Sequence, residues 1–464
     1  MSTLSIFDGA RDAPERIAFI DEGNACSFRE AAERTAPLAA AVLAARPAAL
    51  ALTPRADAAS LLWLYAAFAT GTPVLTLHAR AAANERRDAM ARAGASEVPP
   101  PVAESFTEAA LPAIADSAAL AFIPTSGSTG APRLVELSRR AVVASARASA
   151  ENLGWDATDR WLLCLPLAHT GGLSIVTRCL LARQSVLLFE PGPSGVLSRI
   201  DELASVAESA TLISLVPSVL AALLEAGFTP APGLRAVLVG GAGCSPALAE
   251  RAYTARVPLL TSYGLTETAS QVVTRRYAER FEPLAVRQGV VSSGHPLPRV
   301  ELRLTAGGLA IRAPSLFSGY LGETEAALGA DGFLLTNDQA ELGAGGELYV
   351  RGRLDDVIVS GGENIDPLEV EAALCSLPNV KAACVFGTAS PRFGQVVTAV
   401  LVTSDERLGE PSHLAELLAD RLARHKLPRL LLIAESLPLT SSGKVDRRVV
   451  REQFGAALVS GSRS

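Results

Sequence analysis

The spacing of apolar positions changes character once along this chain, near residue 290. Before that point, helix-length apolar stretches such as residues 36–45 and 58–69 alternate with short continuous apolar runs. The runs fall at 73–77, 119–123, 185–189, 212–215, 236–239 and 257–260. Runs of four or five apolar residues broken by turn residues predict strands buried on both faces. Strands of that kind alternating with helices predict α/β layers on largely parallel sheets. After residue 290 the runs 300–304, 308–311 and 347–350 alternate apolar with polar, with Gly pairs between them. They predict a small antiparallel sheet or barrel. The polar stretch Arg351-Gly352-Arg353-Leu354-Asp355-Asp356 then suits a hinge. Beyond it, a helix near 367–376, strands near 382–386 and 396–402, a helix near 412–425 and a strand near 430–434 predict a separate α+β unit. The expected division is residues 1–353 and 354–464.

Composition narrows the class of function. The 464 residues carry a net charge of -6, with 49% hydrophobic and 19% charged residues, an ordinary globular balance. The acidic balance argues against a dedicated nucleic-acid binder. Six scattered cysteines form no CxxC pair, as expected of reduced thiols in the cytoplasm. Five scattered histidines give no metal-ligand spacing. Gly71 and Pro73 interrupt the apolar segment 58–78 after one helix length, so it predicts helix, turn and strand rather than a membrane span. No secretory leader is expected, and a homo-oligomer is compatible with all of this.

Five motifs carry candidate chemistry. Thr125-Ser126-Gly127-Ser128-Thr129-Gly130 ends with Arg133 and follows the apolar run 119–123. Glycines let backbone N–H groups approach an anion, and hydroxyls and a guanidinium add donors, so the loop suits polyphosphate. It lacks the Gly-Lys-Ser/Thr of a Walker loop, and taken alone it also suits a solvated linker. Ser262-Tyr263-Gly264-Leu265-Thr266-Glu267-Thr268 would set an aromatic face, a hydroxyl and a carboxylate at one sheet end; a polar turn is the alternative. Asp338 suits two ribose hydroxyls or a plain turn. Lys444, after Ser441-Ser442-Gly443, could bridge two anions or lie in a solvated basic tail. Gly361 and Gly362 would admit a thin extended ligand or simply turn the chain.

In chain order, with Gly-Arg-x-Asp-Asp and then Gly361-Gly362 ahead of Lys444, the motifs resemble those of the adenylate-forming acyl-CoA ligases, from about residue 10 to 455. The stretches 161–175, 263–274 and 239–242 are most similar to the branch that activates an aromatic keto dicarboxylic acid for menaquinone synthesis. The resemblance implies a large N-terminal domain of two layered α/β sheets with a β-barrel-like subdomain, and a small mobile C-terminal lid. It implies ATP, Mg²⁺ and coenzyme A as cofactors and a small carboxylic acid as substrate. Thr125, Ser126, Gly127, Ser128, Thr129, Gly130 and Arg133 would hold the β/γ-phosphates. Thr266 would contact the α-phosphate and Glu267 the magnesium. Gly240, Gly241, Ala242, Ser262, Tyr263 and Gly264 would line the adenine, with Asp338 and Arg353 on the ribose. Lys444 would orient the attacking carboxylate, with His169 as a further catalytic candidate. His169, Gly171, Gly172, Ser174, Thr268, Ser270 and Gln271 would form the acyl pocket, and Ser270 and Gln271 also read as ordinary helix N-terminal residues. Asp355 would be the hinge, and Gly361 and Gly362 would shape a pantetheine channel.

Two departures stand out. Pro132-Arg133-Leu134 replaces the Pro-Lys-Gly usual in that family, putting Leu where a permissive residue is expected. Asn337 replaces the usual Gly before Asp338, a position where Asn tolerates left-handed backbone. The rival readings are an aryl- or fatty-acyl-CoA ligase of another pathway and an inactive nucleotide-binding homologue.

Overall fold

The computed structural model describes residues 4–99, 106–125, 133–192, 195–324, 327–390, 392–440 and 444–461. Two large sheets share one core. The nine-stranded sheet runs His295–Pro296, Ser270–Thr274, Leu259–Leu265, Ala236–Val239, Leu212–Leu215, Arg160–Leu163, Ser185–Leu188, Ile17–Asp21, Asn24–Ser27 in space. Its six middle strands, Leu259–Leu265 through Ile17–Asp21, are parallel, and antiparallel pairs finish both ends. The six-stranded sheet runs Gly319–Tyr320, Arg133–Ser138, Ala119–Thr125, Val74–Thr76, Ala49–Leu52, Ala95–Glu97.

Helices Phe28–Ala45, Ala58–Thr70, Arg139–Leu153 and Thr170–Ala182 contribute to the layer between the sheets. One apolar cluster joins Trp161, Leu163 and Leu212 of one sheet to Leu50, Val74 and Ile123 of the other through Phe68 and Ile175. A second covers the far face of the nine-stranded sheet with Ile200–Ala207, Pro217–Glu225 and Pro246–Thr254. Apolar cover on both faces is why 212–215 and 236–239 are apolar or small at every position.

Where sequence and structure differ, local chemistry explains it. The helix expected over 36–45 begins at Phe28, because Ser27 and Glu30 form a reciprocal capping box, and Pro37 lies inside it rather than at its start. The helix expected over 412–425 ends at Leu417, with a separate 3₁₀ turn at Arg424–Lys426. The barrel-like region is a three-stranded sheet, Glu301–Thr305, Gly308–Arg312 and Leu334–Leu335, beside the hairpin Asp338–Leu342 and Leu348–Arg353. Leu134 needs no backbone freedom. It is a fully buried strand residue packed with Leu75, Leu77 and Phe122. Asn337 likewise has no positive φ.

The C-terminal sheet holds Glu363–Ile365, Ile358–Ser360, Gly394–Thr403, Val380–Ser390 and Leu430–Ala434. Helices Pro367–Cys375 and Pro411–Leu417 pack on one face, and Arg447–Gly461 on the other.

Candidate active site

Several motif segments follow the carboxyl ends of parallel strands, where open α/β sheets bind ligands. Residues 240–242 follow Ala236–Val239, Thr266 and Glu267 follow Leu259–Leu265, His169 follows Arg160–Leu163, and residues 126–132 follow Ala119–Thr125. Ser126, Gly127, Ser128, Thr129 and Gly130 lie outside the described residues.

One corner joins three separate motifs. The Tyr263 hydroxyl donates to Asp338 Oδ2 at 2.5 Å, although 75 residues separate them. Asp338 pairs across its hairpin with Arg353, setting the carboxylate and the guanidinium side by side. Burial raises the Asp338 carboxyl above its ordinary range, against the Tyr263 bond and the Arg353 charge. Gly240 is held close to Ser262, where an added Cβ would meet Oγ at 2.4 Å. An even closer approach is at Gly264, where an added Cβ would stand 2.1 Å from the Ser270 carbonyl oxygen. Gly264→Ala should therefore cost about 2–4 kcal/mol in urea unfolding, a backbone clash rather than a surface effect.

Lys444 is brought against Gly241. Its Cε and Nζ lie 2.9 and 3.3 Å from where a Cβ on Gly241 would be, so a side chain there would displace the lysine. Gly241 also has a φ of +80°, a conformation that glycine adopts without strain. Burial lowers the Lys444 ammonium below an ordinary lysine. The lysine turn is closed by Thr440 N–H on the Lys444 carbonyl at 2.6 Å and Lys444 N–H on Thr440 Oγ1 at 3.1 Å. His169 precedes helix Thr170–Ala182 and stacks on His78, ring centroids 5.6 Å apart. Burial, then the charges of His78 and Lys444, hold His169 down to about 4. Without ligand, these causes favour the neutral imidazole.

Arg133 opens the strand that leaves the expected phosphate loop. Thr125 and Arg133 face each other where the two strands enter and leave the loop. The Arg133 guanidinium lies 3.3 Å from the centroid of the Tyr320 ring and pairs with Glu323, Nε to Oε1 at 2.7 Å. Tyr320 in turn donates to Glu267 Oε1 at 2.9 Å. Glu267 is half-buried, and its Oε2 makes no hydrogen bond among the described residues. One open carboxylate oxygen fits Mg²⁺, which takes one or two carboxylates together with substrate phosphates.

The acyl-pocket residues separate into two groups. Gly171 and Gly172 let helix Thr170–Ala182 sit on the turn before it; at Gly172 a Cβ would meet the Pro166 carbonyl at 2.5 Å. The Ser174 hydroxyl donates to the Gly171 carbonyl at 2.8 Å, so its proton serves the helix. Ser270 and Gln271 are strand residues rather than helix N-terminal ones. Thr268 shapes the turn, accepting from Leu265 N–H at 2.8 Å and donating to the Ser270 carbonyl at 2.6 Å. Gln271 donates to Ser149 Oγ at 3.3 Å and borders a different cavity, about 680 Å³, on another face of helix Arg139–Leu153.

Sequence reasoning missed Arg178. It is 3% exposed, and its Nε and Nη2 have no hydrogen-bond partner among the described residues. With Thr170, Ser174, Thr177 and Ser145 it lines a void of only about 10 Å³, room for no more than one water, its guanidinium carbon 5.4 Å from the Trp161 ring centroid. Burial without a paired acid pushes it down to about 10. The signal was there: a lone Arg within the otherwise apolar face of helix 170–182.

The family model described as AMP-binding enzyme matches residues 95–321, and that of the AMP-binding enzyme C-terminal domain matches 369–444. A 2-succinylbenzoate–CoA ligase of Enterococcus faecalis is 33% identical, over 72% of this chain and 70% of its own length. This chain belongs to the AMP-binding enzyme family. Another family member, the 2-succinylbenzoate–CoA ligase of Bacillus velezensis, is 34% identical over 71% of this chain and 67% of its own. The family fold also extends to solved structures. The o-succinylbenzoate CoA synthetase of Bacillus subtilis, in complex with its acyl-adenylate intermediate, superposes with a TM-score of 0.85 at 29% identity, covering 97% of this chain and 98% of that one. The same enzyme with ATP and magnesium ion gives a TM-score of 0.81 at 29% identity, with 96% and 98% covered.

Proposed function

We propose that this protein activates 2-succinylbenzoate for menaquinone synthesis. It joins the acid to the α-phosphate of Mg·ATP, releasing pyrophosphate, then transfers the acyl group from AMP to the thiol of coenzyme A. Arg178 carries the choice of acid. A buried guanidinium without a counter-ion calls for an anion from the ligand, reached through a water in the small void it lines. Of the acids in question, 2-succinylbenzoate brings a second carboxylate to that wall, whereas benzoate and a fatty acid bring only the reacting one.

The remaining residues then take consistent parts. Attack of a carboxylate on a phosphate joins two anions, so the site must offset repulsion and hold the reactants in line. Lys444, against Gly241 and near His169, would bridge the carboxylate and the α-phosphate, and Thr266, which opens the turn 266–268, would contact the α-phosphate. Tyr263, Ser262 and residues 240–242 would border the adenine, and Asp338 and Arg353 would take the ribose. Glu267 would hold Mg²⁺, whose charge offsets that of the phosphates, and Thr125 and Arg133 would flank their terminal end.

Thioester formation calls for a second arrangement of the C-terminal residues 354–464 relative to residues 1–353, turning about Asp355. Asp355 is exposed; it accepts from Asn337 Nδ2 at 2.9 Å and lies 3.9 Å from the Arg353 guanidinium, two contacts that a rotation would have to loosen. Gly361 and Gly362, both at positive φ in a two-residue hairpin turn, would then line the pantetheine path.

The test is ATP- and CoA-dependent release of pyrophosphate and AMP with 2-succinylbenzoate, benzoate and octanoate. The reading expects kcat/KM for 2-succinylbenzoate at least about a hundredfold above the others, the scale of a buried charge contact. Comparable turnover of benzoate or octanoate would replace it with an aryl- or fatty-acyl ligase, and no pyrophosphate from any acid with an inactive homologue.

A further inference from the structure

We propose that Tyr320 is a positioning residue that holds the phosphate-side cation Arg133 and the metal-side carboxylate Glu267 as one unit. The proposal rests on the ATP reading above and adds to it a residue that belongs to none of the five motifs. Tyr320 sits in the two-residue strand Gly319–Tyr320, which pairs antiparallel with the strand leaving the phosphate loop, Tyr320 opposite Val135. Leu321 N–H donates to the Leu134 carbonyl at 2.8 Å, and Phe317 N–H donates to the Glu267 carbonyl at 2.8 Å. Backbone bonds from residues 317–321 thus fasten to both halves of the site. Phe317 also meets the Tyr320 ring edge-on, centroids 4.9 Å apart, which fixes the ring plane.

The side chain then does two separate things. Its face carries the Arg133 guanidinium at 3.3 Å from the centroid, and its hydroxyl donates to Glu267 Oε1 at 2.9 Å. Glu323 takes the Nε and Nη2 edge of Arg133, leaving Nη1 without a hydrogen bond among the described residues. A guanidinium clamped on one face and one edge has already lost most of its rotamer freedom in the folded protein. An anion meeting the open edge therefore gains a donor without the usual ordering cost. The same holds for Glu267, whose Oε1 is fixed by Tyr320 while Oε2 stays open to a cation.

Two variants separate the two tasks. Tyr320→Phe keeps the ring under Arg133 and removes only the donor to Glu267; Tyr320→Leu removes both. Binding is read without turnover: free Mn²⁺ is counted by electron paramagnetic resonance in the presence of a non-hydrolysable ATP analogue, and the analogue's own affinity is measured by calorimetry without metal. Tyr320→Phe should raise the Mn²⁺ dissociation constant about tenfold, the scale of one hydrogen bond to a charged group, with metal-free analogue affinity unchanged. Tyr320→Leu should weaken both. Thioester formation from synthetic acyl-adenylate, which uses neither metal nor polyphosphate, should stay at the wild-type rate, and the thermal midpoint of Tyr320→Phe within a few degrees. Wild-type Mn²⁺ affinity in Tyr320→Phe would overturn the proposal, as would an equal loss in the thioester step. Failure of the wild-type protein to bind the analogue with or without metal would instead overturn the ATP reading itself.

Discussion

Lys444→Ala should lower acyl-adenylate formation by about 10²–10³-fold in kcat, the range for removing a charge aimed at the transition state. Thioester formation from supplied 2-succinylbenzoyl-adenylate should stay close to wild type. The split follows from position. The ammonium group lies against Gly241, and adenylation is the step that brings two anions together. A rotation about Asp355 would withdraw it before coenzyme A enters. The pH dependence has a definite sign. Burial disfavours the charged form of Lys444, so the free protein loses that proton at a lower pH than an ordinary lysine. Because kcat/KM reports groups in the free enzyme, adenylation should fall on the alkaline side of its profile earlier than a solvated lysine would dictate. That limb should vanish in Lys444→Ala, measured as pyrophosphate release in a single turnover. Equal loss of both half-reactions would remove Lys444 from its assigned role.

Arg178→Met should move stability and activity in opposite directions. The buried guanidinium leaves Nε and Nη2 unsatisfied, and Met fills similar space without a charge to desolvate. The ligand-free variant should be as stable as wild type or about 1–3 kcal/mol more so by urea unfolding. KM for 2-succinylbenzoate should meanwhile rise about a hundredfold, since the distal carboxylate loses its buried partner. Any residual turnover of benzoate should be unaffected. Arg178→Lys should recover only part of the loss, because an ammonium lacks the planar fork. A destabilised variant whose KM is unchanged would make Arg178 a packing residue and return the acyl group to an open question.

The order of the motifs carried the family, and the apolar rhythm carried the layers, because both are properties of the chain read in one direction. Residues 212–215, 236–239 and 430–434 became strands at the expected positions, since four or five apolar residues between turns have few other ways to be buried. Helix ends were less legible. Pro37 resembles a helix start, but the capping box at Ser27 sets the helix nine residues earlier. Leu134 and Asn337 looked like losses of backbone freedom, yet neither position has a positive φ.

By itself, then, the sequence determined the alternation of helices and buried strands, the catalytic lysine candidate, and the candidate residues for nucleotide, because each is a local pattern of residue types. Tertiary structure alone decided which of those residues meet. Tyr263 bonds Asp338 from 75 positions away, and Tyr320 links Arg133 to Glu267 across gaps of 187 and 53 residues. Arg178 gained its meaning the same way. A lone arginine in a helix is unremarkable in one dimension, and becomes a candidate carboxylate receptor only when folding buries it without a counter-ion, since the cost of a charge depends on its surroundings.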